Sequence, residues 1–168
     1  RELLVTGEAD RWLPISEALL MMAARSEHLY RTIAPALAAG KWVLCDRFFD
    51  STLVYQGVGK GLGADWLRML YRLLFGDIQP DLTLYFDIAP ETGLARTQER
   101  RGNEIRFELL SIAFHETVRS GFQALAMQEP MRFIQIDASA SLKGVHAQTL
   151  KQLGERYGLT LSAAGRAA

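Results

Sequence analysis

The amino-acid sequence predicts an α/β fold in which a parallel sheet is flanked by helices. Short apolar runs rich in strand-forming residues alternate with longer segments whose apolar residues recur at helical spacing. The 168 residues are enough for one domain with a sizeable core but few for two, and no repeat or linker divides them. We therefore predict a single domain over residues 1–168.

The individual elements follow from apolar spacing and from start and stop residues. Proline or serine marks a helix start and glycine a stop, as at Pro14 and Gly40. A short apolar run of β-forming residues is typical of a strand that is covered on both faces. The predicted helices span 13–40 with a bend near Pro35, 63–76, 90–102, 107–127 and 141–156, and the predicted strands span 41–46, 80–88 and 131–139.

Composition and charge argue against several classes of function. Nineteen basic residues balance nineteen acidic ones, so no long-range field draws the whole molecule to nucleic acid or to a membrane. The single cysteine, Cys45, has no partner for an internal disulfide, and no apolar run reaches the length of a membrane span. We expect a cytoplasmic protein that holds any anionic ligand locally, without a nucleic-acid or membrane partner.

Polar residues end each predicted strand, at the sheet edge where ligands of such folds bind. They are Asp46 with Arg47, then Asp87, then Asp137. An arginine fork binds phosphate bidentately, and a neighbouring carboxylate can hold a hydrated magnesium ion beside it. An isolated Asp-Arg pair is more often a structural ion pair at a strand end, so these residues alone leave both interpretations open.

The order and spacing of several motifs resemble those of bacterial thymidylate kinases, which are P-loop nucleoside-monophosphate kinases. The resemblance begins at residues 15–62 and continues through LLFGDIQPDLTLYFDIAPETGLAR, RRGNEIRFE and FIQIDAS. It implies a P-loop NTPase-like α/β/α fold of three layers and transfer of the γ-phosphate of ATP to dTMP, giving dTDP and ADP. It also implies Mg²⁺ with ATP and, as in most members of the family, a homodimer.

The resemblance implies an acceptor site for dTMP. Arg47 corresponds to the arginine that grips the dTMP phosphate, and Asp46 to the acid that helps organise magnesium. Arg25 and Thr52 would contact thymine, and Tyr55 would lie under the deoxyribose. The other implied substrate contacts are Ser51, Gln56, Glu108 and Met21, which stands where the family usually has phenylalanine.

The basic segment at residues 96–108 corresponds to the lid of the bacterial enzymes. Arginines that close over a transferring phosphoryl group stabilise the charge that spreads over it. Arg101 and Arg106 are the implied catalytic lid residues. The implied ATP contacts are Arg96, Arg100, Asp137, Ala138 and Ser139. From the residues alone, a basic helix end is also a common solvated surface that complements the helix dipole.

The segment GVGKG at 57–61 is not a Walker A motif, because Val54 stands where that motif needs glycine and Gly61 where it needs serine or threonine. No such motif occurs in the 168 residues, and the resemblance implies a phosphate-binding loop before Arg1. We expect this chain to carry the dTMP site and the lid and not to transfer phosphate alone. An inactive nucleotide-binding remnant and a kinase for another nucleoside monophosphate stay open as alternatives.

Overall fold

A computed structural model of the chain describes residues 2–98 and 106–161, in which helices surround a small parallel sheet. No helix of this described part combines the length and hydropathy that crossing a bilayer requires. The α-helices are α1 (Glu2–Val5), α2 (Pro14–His28), α3 (Ala34–Ala38), α4 (Phe49–Thr52), α5 (Ala64–Phe75), α6 (Pro90–Gln98), α7 (Ile112–Gln128) and α8 (Leu142–Tyr157), and π-helical segments span Leu29–Ile33 and Leu53–Gly59.

The sheet consists of β1 (Thr83–Asp87) and β2 (Phe133–Asp137). The strands pair in parallel, with Thr83 opposite Phe133 and Asp87 opposite Asp137. α6 and α7 lie between them along the chain, which is the long crossover that a parallel pair needs. Both strands fall inside the predicted ranges 80–88 and 131–139, so the predicted α/β arrangement with a parallel sheet is confirmed.

The prediction of a strand at residues 41–46 is wrong. Residues 41–45 have no regular secondary structure, and Trp42 and Leu44 are 71% and 93% exposed. A strand needs a neighbouring backbone to pair with its amides and carbonyls. In the described part of the chain, β1 and β2 pair only with each other. Within the described residues, the apolar run at 41–46 therefore has no strand to pair with. Local sequence does not show whether such a partner strand is present.

Two predicted helices are confirmed with altered details. The first runs from Pro14 to Ala38, but its irregular turn is the π-helical segment before Pro35, because proline has no amide to complete the α-helical ladder. α7 begins at Ile112 rather than at 107. Ser111 is its N-cap, and the Ser111 hydroxyl accepts a hydrogen bond from the amide of Phe114.

The core brings together α2, α5, α7, both strands and the helix of residues 49–59, which is formed by α4 and the π-helical segment after it and is called the 49–59 helix below. This helix packs closely on α7. A Cβ atom at Gly59 would lie 2.7 Å from Cε2 of Phe114, which is nearer than any side chain allows. The buried apolar side chains include Ala18, Met22, Leu53, Val54, Leu67, Tyr71, Tyr85, Val118, Leu125 and Phe133.

Candidate functional site

Two helical segments face each other across the candidate acceptor site. α2 carries Glu17, Met21 and Arg25 at intervals of four residues, so these side chains share one face. The 49–59 helix carries Thr52 and Gln56 at the same interval. Arg25 donates to Thr52 at one end, and Gln56 donates to Glu17 at the other. Polar contacts at both ends therefore fix the two segments relative to each other.

Arg25 and Thr52, the predicted thymine contacts, are brought together by the structure. Nη2 of Arg25 donates to Oγ1 of Thr52 and to the carbonyl of Phe48, each at 3.0 Å. The guanidinium lies 5.3 Å from the centroid of the Phe48 ring and 5.8 Å from that of Phe49. Burial among these groups lowers the pKa of Arg25, although arginine stays charged in proteins. The site therefore holds a fixed donor next to a hydroxyl.

Asp46 and Arg47 are both exposed and follow the irregular segment 41–45. Arg47 is the one non-glycine residue of the described ranges with a positive φ, 63°. Such a conformation costs about 1–3 kcal/mol and is found most often at functional sites. The Arg47 guanidinium lies 5.2 Å from the centroid of the Tyr55 ring. The predicted phosphate-binding arginine is thus adjacent to the predicted sugar-facing aromatic residue.

Tyr55 is surrounded by aromatic rings from the segment before α7 and from α7 itself. Its ring centroid lies 5.6 Å from that of Phe107, 6.0 Å from that of Phe114 and 6.4 Å from that of Phe122. These contacts are edge-on, an arrangement that rings favour. The tyrosine is held in place by packing. The other predicted substrate contacts, Met21, Ser51 and Glu108, are half-buried.

Asp46 could serve a magnesium ion only as one ligand among several. Among residues 2–98 and 106–161, no group of three or more carboxylate, histidine or cysteine side chains could hold a metal ion. Mg²⁺ usually keeps several waters and binds one or two carboxylates together with substrate phosphates, rather than a cage of protein ligands. A single exposed carboxylate beside an arginine fits that mode of binding.

Arg106 is not placed as a lid residue in this structure. Its side chain is 1% exposed, and its guanidinium donates to the carbonyls of Leu4, Glu8 and Ala9 at 3.0–3.1 Å. It also forms an ion pair with Glu17, which is fully buried. A buried carboxylate needs such a partner, so Arg106 joins the N-terminal segment to α2. Its catalytic role stays a prediction.

The predicted ATP contacts at the end of β2 form one cluster. Arg96 donates from Nη1 to the carbonyl of Ala138 at 2.8 Å and from Nη2 to that of Ser139 at 3.4 Å. Asp137 accepts from the Ser139 hydroxyl at 2.6 Å and from the Ser139 amide at 2.9 Å. These hydrogen bonds lower the pKa of Asp137. Arg100 and Arg101, which the sequence assigns to ATP and to catalysis, lie outside the described residues.

Both carboxylate oxygens of Asp87, the polar residue at the end of β1, accept hydrogen bonds from other side chains of the protein. Nε and Nη2 of Arg119 donate to its two oxygens at 2.7 and 3.1 Å, and the Tyr85 hydroxyl and the Gln135 amide donate at 2.7 and 3.0 Å. The hydrogen bonds from Arg119 lower the pKa of Asp87, and burial raises the pKa of Tyr85. This carboxylate ties α7 to the sheet.

Glu17 is the residue of this region that sequence reasoning missed. The sequence places the Glu17 carboxylate on the same face of α2 as Met21 and Arg25. The residue after Glu17, Ala18, is buried in the core. Glutamate is almost never fully buried unless it is paired. A glutamate at a helical position facing the core therefore indicates a partner, but the partner's identity depends on the fold.

Comparison with known proteins gives consistent matches over most of the chain. A family model described as "Thymidylate kinase" matches residues 1–149. The chain is 50% identical over 157 residues to "Thymidylate kinase" of Magnetococcus marinus, an overlap covering 94% of the chain and 75% of that relative. It is 48% identical to the protein of that name from Caulobacter vibrioides, with 95% and 76% covered, and 48% identical to one from Synechococcus sp., with 99% and 77% covered.

Proposed function

The chain belongs to the thymidylate kinase family, and from this premise we propose that the protein transfers the γ-phosphate of ATP to dTMP, giving dTDP and ADP. The observation that carries the proposal is the geometry of the acceptor side. Arg25 meets Thr52 of the 49–59 helix, and Arg47, which precedes this helix, lies against its Tyr55. This arrangement provides a donor for a base carbonyl, a ring for a sugar and a cation for a phosphate.

The chemistry requires no covalent intermediate on the protein. An oxygen of the dTMP phosphate, held by the Arg47 guanidinium, attacks the γ-phosphorus of ATP in line with the leaving oxygen. A new bond forms between these atoms while the bond from γ-phosphorus to the β,γ-bridging oxygen breaks, which releases ADP. Holding the reactants in this geometry and neutralising their charge supply most of the acceleration.

The base and the sugar determine which monophosphate reacts. Arg25 donates to a thymine carbonyl, and Thr52 lies beside it as a second polar contact. Tyr55, held by the rings around it, packs against the deoxyribose and leaves little space for a 2′-hydroxyl. Met21 provides polarisable packing for the base.

On the donor side, ATP supplies the phosphoryl group. Asp46 would hold a hydrated Mg²⁺, which would neutralise phosphate charge when bound, and the cluster of Arg96 with residues 137–139 would contact the nucleotide. The proposal includes a cytoplasmic location, which the free thiol of Cys45 supports. It also includes a homodimer, for which Leu19 on α2 and Leu73 on α5 offer exposed apolar surface.

Steady-state kinetics on the protein expressed from its complete coding sequence test this proposal. Formation of ADP and of the corresponding nucleoside diphosphate is measured with dTMP, UMP and dCMP as acceptors, and dTMP should be preferred strongly. Arg47→Ala should lower kcat/KM for dTMP by about 10²–10³, the usual effect of removing one charge-stabilising donor.

Arg72→Ala is the matched control. Arg72 is an exposed arginine on α5 whose side chain is 77% exposed, and its loss should leave the kinetics unchanged. Circular dichroism should show that both variants are folded. Near-normal turnover by folded Arg47→Ala, or a preference of the unmodified protein for UMP, would contradict the proposal.

A further inference from the structure

Glu17 is a buried carboxylate with partners from two other parts of the chain. Its Oε1 accepts from Nε2 of Gln56 at 2.7 Å, and its Oε2 accepts from Nζ of Lys60 at 2.9 Å. Oε2 also pairs with Arg106. Glu17 is 0% exposed, and none of the steps described above uses it. Because a buried charge needs partners, any effect of Glu17 on the acceptor site passes through Gln56, Lys60 and Arg106.

The contact with Glu17 fixes the orientation of the Gln56 amide. An ionised carboxylate only accepts hydrogen bonds, so the NH₂ group of Gln56 must face it. The carbonyl oxygen of Gln56 is then at the other end of the amide, where it can only accept. Gln56 lies one helical turn from Thr52 on the 49–59 helix. Gln56 therefore shares a helix face with the predicted base contact, and both side chains are buried, at 1% exposure each.

The cationic partners of Glu17 extend the same arrangement to Tyr55. Nζ of Lys60 lies 5.8 Å, and the guanidinium of Arg106 5.2 Å, from the centroid of the Phe107 ring. Phe107 in turn meets Tyr55 edge-on at 5.6 Å. Loss of the Glu17 charge would leave both cations without their anion. Glu17 is thus linked directly to Gln56, and to Tyr55 only through its cations and one of the three rings around the tyrosine.

We propose that Glu17 is a positioning residue that sets the choice of acceptor base by holding Gln56 with its carbonyl oxygen toward the base. The inference rests on the proposed phosphorylation of dTMP. Thymine carries an N–H donor at ring position 3, which suits a carbonyl acceptor. Cytosine carries a bare nitrogen there, which would face the Gln56 oxygen without a proton between them. Leaving buried polar groups unpaired in this way is a strong source of selectivity.

Glu17→Gln in the protein expressed from its complete coding sequence tests the role directly. A glutamine at position 17 can donate as well as accept, so the Gln56 amide can reverse and present its NH₂ group to the base. The acceptors compared are dTMP and 5-methyl-dCMP, which keep the same sugar, phosphate and methyl group. The ratio of their kcat/KM values should fall at least about tenfold, with KM for dTMP rising by a larger factor than kcat falls.

The matched control is Glu27→Gln on the same helix. The Glu27 side chain is 67% exposed and pairs with Arg31 at the surface, so the ratio should not change. A purely structural Glu17 would lower activity toward both acceptors by one factor and leave the ratio intact, which overturns the proposal.

A second variant covers the case in which Glu17→Gln does not fold. Glu17→Asp keeps the charge for Lys60 and Arg106 but withdraws the carboxylate by one methylene from Gln56. The ratio should again fall, and an unchanged ratio overturns the proposal. Failure of the unmodified protein to phosphorylate dTMP would refute the proposed function and the role of Glu17 together. A dTMP-selective protein whose ratio is unaltered in the Glu17 variants refutes the role of Glu17 alone.

Discussion

Replacement of Arg132 should destabilise the protein strongly, because it leaves a buried carboxylate without its cation. Nη1 and Nη2 of Arg132 donate to Oδ2 and Oδ1 of Asp50, each at 2.8 Å. The two side chains are 11% and 9% exposed. Asp50 lies between Arg47 and Thr52 in the sequence, so this fork anchors the acceptor segment to the start of β2. Arg132→Met removes the fork and keeps much of the side-chain volume.

The magnitude follows from what remains around Asp50. Removing one partner of a buried ion pair costs about 3–5 kcal/mol. The hydroxyl of Thr83 still donates to Oδ2 of Asp50 at 2.9 Å, which places Arg132→Met at about 3 kcal/mol, the lower end. The contact with Glu129, whose side chain is 36% exposed, adds at most about 0.5 kcal/mol. In a chain of this size, about 3 kcal/mol lowers Tm by about 6–12 °C.

Urea unfolding followed by circular dichroism measures the change. Asp77→Asn is the control, because the Arg72–Asp77 pair has side chains 77% and 91% exposed and should matter by less than about 0.5 kcal/mol. The double variant Asp50→Asn/Arg132→Met should regain part of the loss, since no charge is then buried alone. A cost below about 1 kcal/mol for Arg132→Met, at an unchanged m-value, would show that the Asp50 carboxylate does not need Arg132 as its cation.

Three further results are expected. Gly59→Ala should lower the free energy of unfolding by about 1–3 kcal/mol, because its Cβ would lie 2.7 Å from Phe114, and adding Phe114→Leu should recover part of this loss in thermal melts. Burial lowers the pKa of His115 below 6.5, so the unfolded chain takes up the proton first and stability is lost as the pH falls below about 6.5. His115→Gln should flatten this profile, and an equally steep one would contradict the assignment. In Arg119→Gln the pKa of Asp87, followed by carboxyl-carbon NMR, should rise, because the hydrogen bonds from Arg119 hold it down.

The parts of the fold that depend on local sequence could be predicted. Ser141 caps α8 through its own hydroxyl, which accepts from the amide of Gly144, and α5 ends before Gly76, whose φ of 67° suits glycine. The irregular structure of residues 41–45 could not be predicted, because strand pairing depends on a backbone partner elsewhere in the chain. An apolar run shows that a segment can pair, and not that it does.

In the candidate site, too, some features could be predicted from the sequence and others depend on how distant segments pack. The resemblance named Arg25, Thr52, Arg47 and Tyr55, and the structure brings them together in two adjacent pairs. The resemblance could not reveal that Arg106 is buried against Glu17, because burial arises from the packing of segments far apart in the chain.

The ion pair between Asp50 and Arg132 could not be predicted from the sequence for the same reason. Its two residues lie on different elements, and neither belongs to a motif with a fixed spacing. The partners of buried charged residues are thus the contacts that are hardest to predict from the sequence.

A calorimetric titration of dTMP and UMP into the protein expressed from its complete coding sequence, with Arg47→Ala as the comparison, tests the proposed dTMP site. We expect the folded protein to bind dTMP selectively and Arg47→Ala to weaken this binding markedly. Equal binding of UMP and dTMP, or dTMP binding that Arg47→Ala leaves unchanged, would contradict the proposed site.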